Sequence, residues 1–391
     1  MITRLKVNSF KSLVDFDIPL SKVTCLVGLN GAGKSTVLQA IHLLQYIMSG
    51  EFKNWSRDRN FFSIPSKYYS DIINERFSFS FYVELNILGK KIIWRGNLND
   101  DLRCLEEDVV VEGDVVVSVR NGVCIIGGQT QIDIAIDYHG SILSGLKEKF
   151  YTDSYPILKD IKNYITNIRS LERLSPFLIR STEGKYSGPL GNGGEGLTNF
   201  IANMNKESFK ELKKIIRNLF SKQLRDIRVI SEDGNYLYFY EKYVNRHKLI
   251  KTISADINDG LLRQLAIISQ TLVNNSILLL DELENGIDPE AVEKLVQYLI
   301  ECPQQVIFTT HSLLIMNYIP DDLAKEGVIF LYRNNKGHIQ GVRFFDLPEP
   351  KEKLTILGPG EAYVDCYLHD IVNQLNSVTK EEKTNLLDQQ P

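Results

Sequence analysis

Hydrophobic positions recur along the chain in patterns that predict different elements. Phe77, Phe79, Phe81, Val83, Leu85 and Ile87 alternate with Ser78, Ser80, Tyr82, Glu84 and Asn86. Period two puts the first set on one face of a pleated strand, so 77–87 is expected to be a half-buried strand. The unbroken apolar runs Val23 to Val27 and Ile277 to Leu280 instead match strands buried on both faces of a parallel sheet. Residues 2–28 read as strands around a turn, and 50–75 as loop. Segments 90–98, 108–120 and 122–137 continue in β-rich style, with Glu112-Gly113-Asp114 and Asn121-Gly122 as hairpin turns. From about 141 the character turns helical, with the clearest helix at 205–225, before β-like runs at 227–231 and 235–243. Helices at 34–49, 260–273 and 289–301, with strands at 305–310 and 327–333, complete an α/β pattern. A last helix is expected over 361–376.

Composition narrows the classes. The 391 residues allow two or three domains, and 43% hydrophobic residues are enough to pack them, which excludes wholesale disorder. A net charge of −4 argues against a generic nucleic-acid coat but leaves room for a local basic groove. Cys25, Cys104, Cys124, Cys302 and Cys366 are odd in number and form no CxxC pair. A disulfide framework or zinc site is therefore not expected, and a reducing cytoplasm fits. No apolar run reaches 18 residues and the opening Met1-Ile2-Thr3-Arg4 does not read as a signal peptide, so no membrane association is expected.

Chemistry enters at Gly28-Leu29-Asn30-Gly31-Ala32-Gly33-Lys34-Ser35-Thr36. This is a Walker A loop in its strand-loop-helix context. Its glycines let backbone N–H groups turn inward around an anion, and the helix dipole adds to them. Asn30, Gly31, Ala32, Gly33, Lys34, Ser35 and Thr36 are thus expected to hold the phosphates of ATP, with Lys34 reaching the β- and γ-phosphates and Ser35 ligating Mg²⁺. The run Ile277 to Leu280 ends in Asp281-Glu282, a Walker B pattern. Asp281 is expected to hold Mg²⁺, and Glu282 to polarise the attacking water. Phe308-Thr309-Thr310-His311-Ser312 ends the following strand, where His311 sits as a γ-phosphate contact would.

Together with Asn285-Gly286-Ile287-Asp288-Pro289 at the place of a D-loop, these motifs resemble ABC-type ATPases, and within them the soluble SMC-like branch. Leu5-Lys6-Val7-Asn8-Ser9-Phe10-Lys11-Ser12-Leu13 is similar to that branch's FKS opening. Ile257-Asn258-Asp259-Gly260-Leu261-Leu262-Arg263-Gln264-Leu265-Ala266 resembles its signature, and Gly188-Pro189-Leu190-Gly191 to Leu197 a family segment before a long helix. The nearest resemblance is to the compact ATPases of anti-phage and abortive-infection loci, including the Septu and PARIS ATPases and the ATPase half of OLD nucleases. One departure stands out: Asn258 replaces the signature serine, which donates to the γ-phosphate of an opposing subunit. An asparagine amide also donates but is longer.

The resemblance implies an ABC-type P-loop ATPase head, α/β in class, with a β-rich lobe and a helical signature lobe. It also implies a head-to-tail homodimer, or a larger oligomer built from it, in which Asn258, Asp259 and Gly260 complete the ATP site of the partner. The lobes are expected as 1–140 with 277–350 for nucleotide, 141–276 for the helical insertion, and 351–391 for a terminal helix and tail. Only about 220 residues separate Ser35 from Asn258, with no sustained heptad, so no long coiled coil is expected.

Lys210, Lys213, Lys214 and Arg217 form a stripe at helical spacing within 205–228. Such a stripe is either a solvated face or a nucleic-acid contact. Arg169, Arg173 and Arg180 form a second basic set, and no nuclease constellation is present in the sequence. The expected function is an ATP-driven dimeric switch in anti-phage defence, controlling a separately encoded nuclease or toxin that docks on the chain. The alternatives are a DNA-repair or chromosome-maintenance ATPase acting directly on DNA, and an ATP-gated scaffold that barely hydrolyses. A transporter ATPase does not fit, for lack of an LSGGQ signature.

Overall fold

The computed structural model describes residues 1–51, 55, 78–99, 103–120, 122–128, 130–133, 139–146, 154–181, 189–219, 223–232, 234–242 and 248–377. Most of the expected loop 50–75, Asn121 of the second expected turn and the tail after 377 lie outside the described residues. By its contacts the chain divides into two compact units, 1–168 with 320–391 and 169–319. These bounds differ from the lobes read in the sequence, since 277–319 groups with 169–276.

The first unit carries an eight-stranded sheet built from β1 (Ile2–Asn8), β2 (Phe16–Pro19), β4 (Ser78–Ile87), β5 (Lys90–Asn99), β6 (Cys104–Val111), β7 (Asp114–Arg120), β8 (Val123–Ile126) and β9 (Thr130–Asp133). Their order is β2-β1-β4-β5-β6-β7-β8-β9, antiparallel throughout. The period-two reading of β4 holds: Phe79, Phe81, Val83, Leu85 and Ile87 are all buried. Phe81 packs edge-on against Trp94 of β5 at 4.5 Å between ring centroids. Glu112-Gly113 turns the β6–β7 hairpin with φ of 52° and 95°, the positive pair that a two-residue turn between twisted strands requires.

The same unit holds β3 (Val23–Val27), β16 (Val328–Arg333) and β17 (Ile339–Arg343), with β3 parallel to β16 and β16 antiparallel to β17. Every residue of β3 is buried, as its unbroken apolar run predicts. Helix Lys34–Ser49 follows and stops at Gly50, which takes the left-handed cap with φ of 75°. Phe344 packs at a tilt against both Phe330 and Tyr363, with ring centroids at 5.7 and 4.9 Å. The expected helix over 361–376 is instead two helices, Pro359–Val364 and Leu368–Ser377. Lys353 Nζ donates to the Asp365 carbonyl at 2.5 Å and pairs with its carboxylate at 3.0 Å, engaging the carbonyl that a continuous helix would use.

The second unit sets β10 (Ile168–Leu171), β14 (Ile277–Leu280) and β15 (Gln305–Thr309) side by side in that order. β14 and β15 are parallel, with Leu280 beside Phe308. A separate antiparallel sheet joins β11 (Leu224–Glu232), β12 (Gly234–Glu241) and β13 (Ile250–Ile253). Helices Leu197–Ala202, Lys206–Leu219, Asp259–Thr271 and Pro289–Glu301 surround these strands in the chain. β10 falls within a stretch expected to be helical: it is four residues long, too short for periodicity to mark. Among the described residues the longest helix has 16 residues, so none forms the long coiled-coil arm that the sequence also excludes.

Candidate nucleotide site

The chain passes from β3 into helix Lys34–Ser49 through the glycine loop. Gly28, Gly31 and Gly33 adopt φ of 144°, 77° and 95°, a region that side-chain-bearing residues rarely enter. Space adds a second requirement at two of them. A Cβ on Gly28 would meet the Leu331 carbonyl, and one on Gly33 the Ile339 side chain. No side chain caps the start of the helix, and its first-turn amides and dipole make an anion site. Lys34 is buried, its ammonium donating to the carbonyls of Gly28 at 2.9 Å and Leu29 at 3.4 Å. Ser35 and Thr36 are half-buried beside it.

Two residues outside the motif support the loop. Arg333, at the end of β16, donates from Nε to the Gly31 carbonyl at 2.9 Å and from a terminal nitrogen to Gly337 at 2.6 Å. The Tyr363 hydroxyl accepts from the Gly28 backbone, and burial raises its phenol above the ordinary value. Neither residue was singled out in the sequence. Arg333 carries a signal, as the charged end of an apolar strand, but its loop contact joins positions 302 residues apart.

The acidic candidate residues lie in the second unit, at the carboxyl ends of β14 and β15. Thr309 is fully buried. Its hydroxyl donates to Asp281 Oδ1 at 2.5 Å and accepts the Glu282 backbone N–H at 2.8 Å. Glu282 has φ of 48°, a strained conformation for a residue with a side chain, of the kind found at functional sites. Asn285 donates to Glu282 Oε2 at 3.3 Å. Glu284 Oε1 accepts the backbone N–H groups of His311 at 2.7 Å and Ser312 at 3.0 Å. It thereby fixes the turn that presents His311, whose side chain is exposed. Thr309 thus organises Asp281 and Glu282, and Glu284 organises the turn at His311. A polar Thr309 ending a buried strand is the available sequence signal.

Hydroxyl and carboxylate oxygens, as at Ser35 and Asp281, are hard donors that suit Mg²⁺, which keeps most of its shell as water and phosphate. Among the described residues no group of three His, Cys, Asp or Glu side chains forms a protein metal cage.

The signature segment starts helix Asp259–Thr271. Asn258 is its N-cap, with Oδ1 accepting the Leu261 N–H at 2.8 Å. Capping uses only the amide oxygen, so the Nδ2 group keeps its donors, and the side chain is exposed. A serine would cap with oxygen and donate with hydrogen, so asparagine retains both capacities. Asp259 pairs with Arg180 at 2.7 Å, and the same guanidinium donates to the Ile257 carbonyl at 2.5 Å. Gly260 abuts the Asn285–Pro289 turn: a Cβ there would lie 2.7 Å from the Gly286 carbonyl. Arg263 runs beside Gly286, where burial lowers its pKa and the carboxylates of Asp259 and Glu282 oppose the shift.

The basic helix expected within 205–228 forms over Lys206–Leu219. Lys213 is paired to Asp226 at 2.9 Å and Lys214 to Glu211 at 3.1 Å, so half of the stripe is already neutralised locally.

A family model described as "AAA domain, putative AbiEii toxin, Type IV TA system" matches residues 23–119 and 138–317. An OLD nuclease of Thermus scotoductus (strain ATCC 700910 / SA-01) is 52% identical over 44 residues, 11% of this chain, and the match spans only 8% of that relative's length. An uncharacterized ABC transporter ATP-binding protein (YhcH) of Bacillus subtilis (strain 168) is 22% identical over 258 residues, 56% of this chain and 82% of the relative. The fold is that of an SMC-type ATPase head. It matches an Smc head solved bound to the C-winged helix domain of ScpA, with a TM-score of 0.52, 16% identity and coverage of 87% of this chain and 97% of that one.

Proposed function

Since the chain belongs to the AAA-domain family described as "AAA domain, putative AbiEii toxin, Type IV TA system", we propose that it is an ATPase working as a dimeric nucleotide switch in anti-phage defence. The observation that carries this reading is the Thr309 hydroxyl between Asp281 and Glu282. It orients a carboxylate for Mg²⁺ beside a second carboxylate for a water, the pair that in-line hydrolysis of a γ-phosphate needs. Asn30 to Thr36 would hold the phosphates, Ser35 and Asp281 would hold Mg²⁺, which would neutralise phosphate charge, and Glu282 would accept the proton of the attacking water. His311 contacts the γ-phosphate. Asn258, Asp259 and Gly260 act on the nucleotide of a second copy, with the Asn258 amide as donor, so ATP holds two copies together and hydrolysis releases them.

The defence role rests on the short match to an OLD nuclease and on the family's description. The partner is a separately encoded effector, a nuclease or toxin. A precedent for partner binding is the Smc head, solved with a domain of another protein bound. The five cysteines form no disulfide with one another, which accords with a reducing cytoplasm. Among the described residues no helix is long and apolar enough to cross a membrane. The test is to incubate the purified chain with Mg²⁺ and ATP, plasmid DNA and transfer RNA, alone and with the protein encoded beside it. The proposal expects ATP turnover, intact nucleic acid with the chain alone, and a stable complex with the neighbour. Cleavage by the lone chain, lost on mutating its own carboxylates outside the Walker motifs, would overturn the effector reading.

A further inference from the structure

We propose that the outer face of the β11–β12–β13 sheet is a binding platform for single-stranded nucleic acid. Alternation along β12 separates two faces. Leu237 and Phe239 are fully buried, and Asn235, on their side, bonds to Asn199 of helix Leu197–Ala202 at 2.6 Å. That face is the packed one. Tyr236, Tyr238 and Tyr240 share the other and are only half-buried. Core packing accounts for Leu237 and Phe239 but not for three tyrosines in a row on the far side.

Register places a cation on each flank. Arg228 of β11 stands opposite Tyr238, and its guanidinium lies 4.8 Å from the Tyr240 ring centroid. Lys251 of β13 stands opposite Tyr240, and its ammonium lies 3.9 Å from the Tyr238 centroid. Asp226, on the same face, is shared between Arg228 at 2.7 Å and Lys213 at 2.9 Å, so one carboxylate serves two cations. A row of aromatic faces bordered by cations is the arrangement that stacks bases and tracks phosphates without reading sequence.

Spacing selects the strand form. Alternate residues of a strand stand about 6.7 Å apart, roughly twice the 3.4 Å rise per base within one strand of a duplex. Consecutive tyrosines therefore suit a strand drawn out with its bases unstacked, not a helix whose bases are hidden. The cations over the rings do not block this use. A cation–π contact at an exposed site is worth about two- to fivefold in an equilibrium, whereas stacking one base is worth about 5- to 150-fold. A base displaces the flexible Lys251 from Tyr238, and the ammonium turns to a phosphate.

The platform needs no nucleotide-driven step, so nucleotide-free full chain is the sample. The probe is a fluorescein-labelled oligothymidylate of about 20 nucleotides, longer than the roughly 4–16 that such sites cover, with oligouridylate as a second arm. Anisotropy should show saturable binding to one or both, poorly competed by duplex DNA of equal length. Tyr238→Ala and Tyr240→Ala should each weaken it about 5- to 150-fold, and Tyr238→Phe, which keeps the ring, should restore it. Lys251→Gln should lower the slope of log affinity against log salt by roughly 0.7. Far-ultraviolet circular dichroism of each variant checks folding. No saturable binding, binding unmoved by either alanine variant, or binding lost instead through Lys210→Glu on the neighbouring helix would overturn the proposal.

Discussion

Thr309 donates its hydroxyl hydrogen to Asp281 at 2.5 Å, and the same oxygen receives the backbone N–H of Glu282. One buried hydroxyl thereby fixes the carboxylate proposed to hold Mg²⁺ and the backbone of the adjacent residue proposed to activate water. Thr309→Val keeps the shape and removes that link. It leaves a Glu282 N–H without its partner, which costs about 1–3 kcal/mol. Hydrolysis should fall about 10- to 100-fold, as for partners of metal ligands, with a raised Mg²⁺ requirement, while Thr309→Ser retains both. Phosphate release across a Mg²⁺ titration checks this; unchanged Mg²⁺ dependence in the valine variant counts against it.

Asn258 caps its helix and is proposed to donate to a second copy's nucleotide, two roles that substitution separates. Serine, aspartate and asparagine are near-equivalent N-caps, so Asn258→Asp and Asn258→Ser should leave thermal stability within about 0.5 kcal/mol of the native chain. Aspartate has no hydrogen to donate and brings negative charge toward a phosphate. Asn258→Asp should therefore lose ATP-dependent dimerisation and Asn258→Ser keep it, as read by sedimentation with and without ATP. Equal dimerisation by both variants would remove the amide from that role.

Arg333 ties the glycine loop to the Gly337 turn through two carbonyls. Arg333→Ala should weaken ATP binding by roughly fivefold, about 1 kcal/mol, the net worth of a hydrogen bond of this kind. Arg333→Lys should not restore it, because one ammonium cannot span both carbonyls as the guanidinium fork does. Calorimetric titration with ATP measures the difference.

Glu107 is a pH-sensitive element of the eight-stranded sheet. Its buried carboxyl accepts from Trp94 Nε1 at 2.8 Å, Ser141 Oγ at 2.5 Å and the Ile142 N–H at 2.7 Å. Burial raises its pKa, and those three donors oppose the shift. The folded chain therefore holds this proton at a pH where the unfolded chain has released it. Its stability contribution is fullest below the unfolded value and declines as pH rises toward the folded one, at up to about 1.4 kcal/mol per pH unit. Denaturant unfolding of the native chain and of Glu107→Gln from pH 4 upward should show this decline in the native chain relative to the variant. A parallel pair of curves would contradict it.

Much of the fold is written locally. The alternation of β4, the buried runs of β3 and β14, and helices Lys34–Ser49 and Pro289–Glu301 follow from pattern within single segments. β10 and β13 escape because four residues are too few to set a period. The break at Asp365 escapes because its carbonyl and carboxylate are engaged by Lys353, twelve residues earlier. The glycine loop, Asp281, Glu282 and His311 are legible as motifs because they lie just after short apolar runs in the sequence. Thr309, Glu284 and Arg333 act through contacts spanning 28, 27 and 302 positions. No local pattern encodes such pairs, and the cap made by Asn258 became visible only with the helix it begins.

The most direct test of the proposed nucleotide switch is sedimentation velocity of Glu282→Gln with Mg²⁺-ATP, run beside phosphate release. Loss of a general base typically costs about 10²- to 10⁴-fold in rate. The variant should bind ATP, turn it over at least about 100-fold more slowly, and persist as a dimer with ATP but not with ADP. Near-normal steady-state hydrolysis, or a monomer at saturating ATP, would contradict the account.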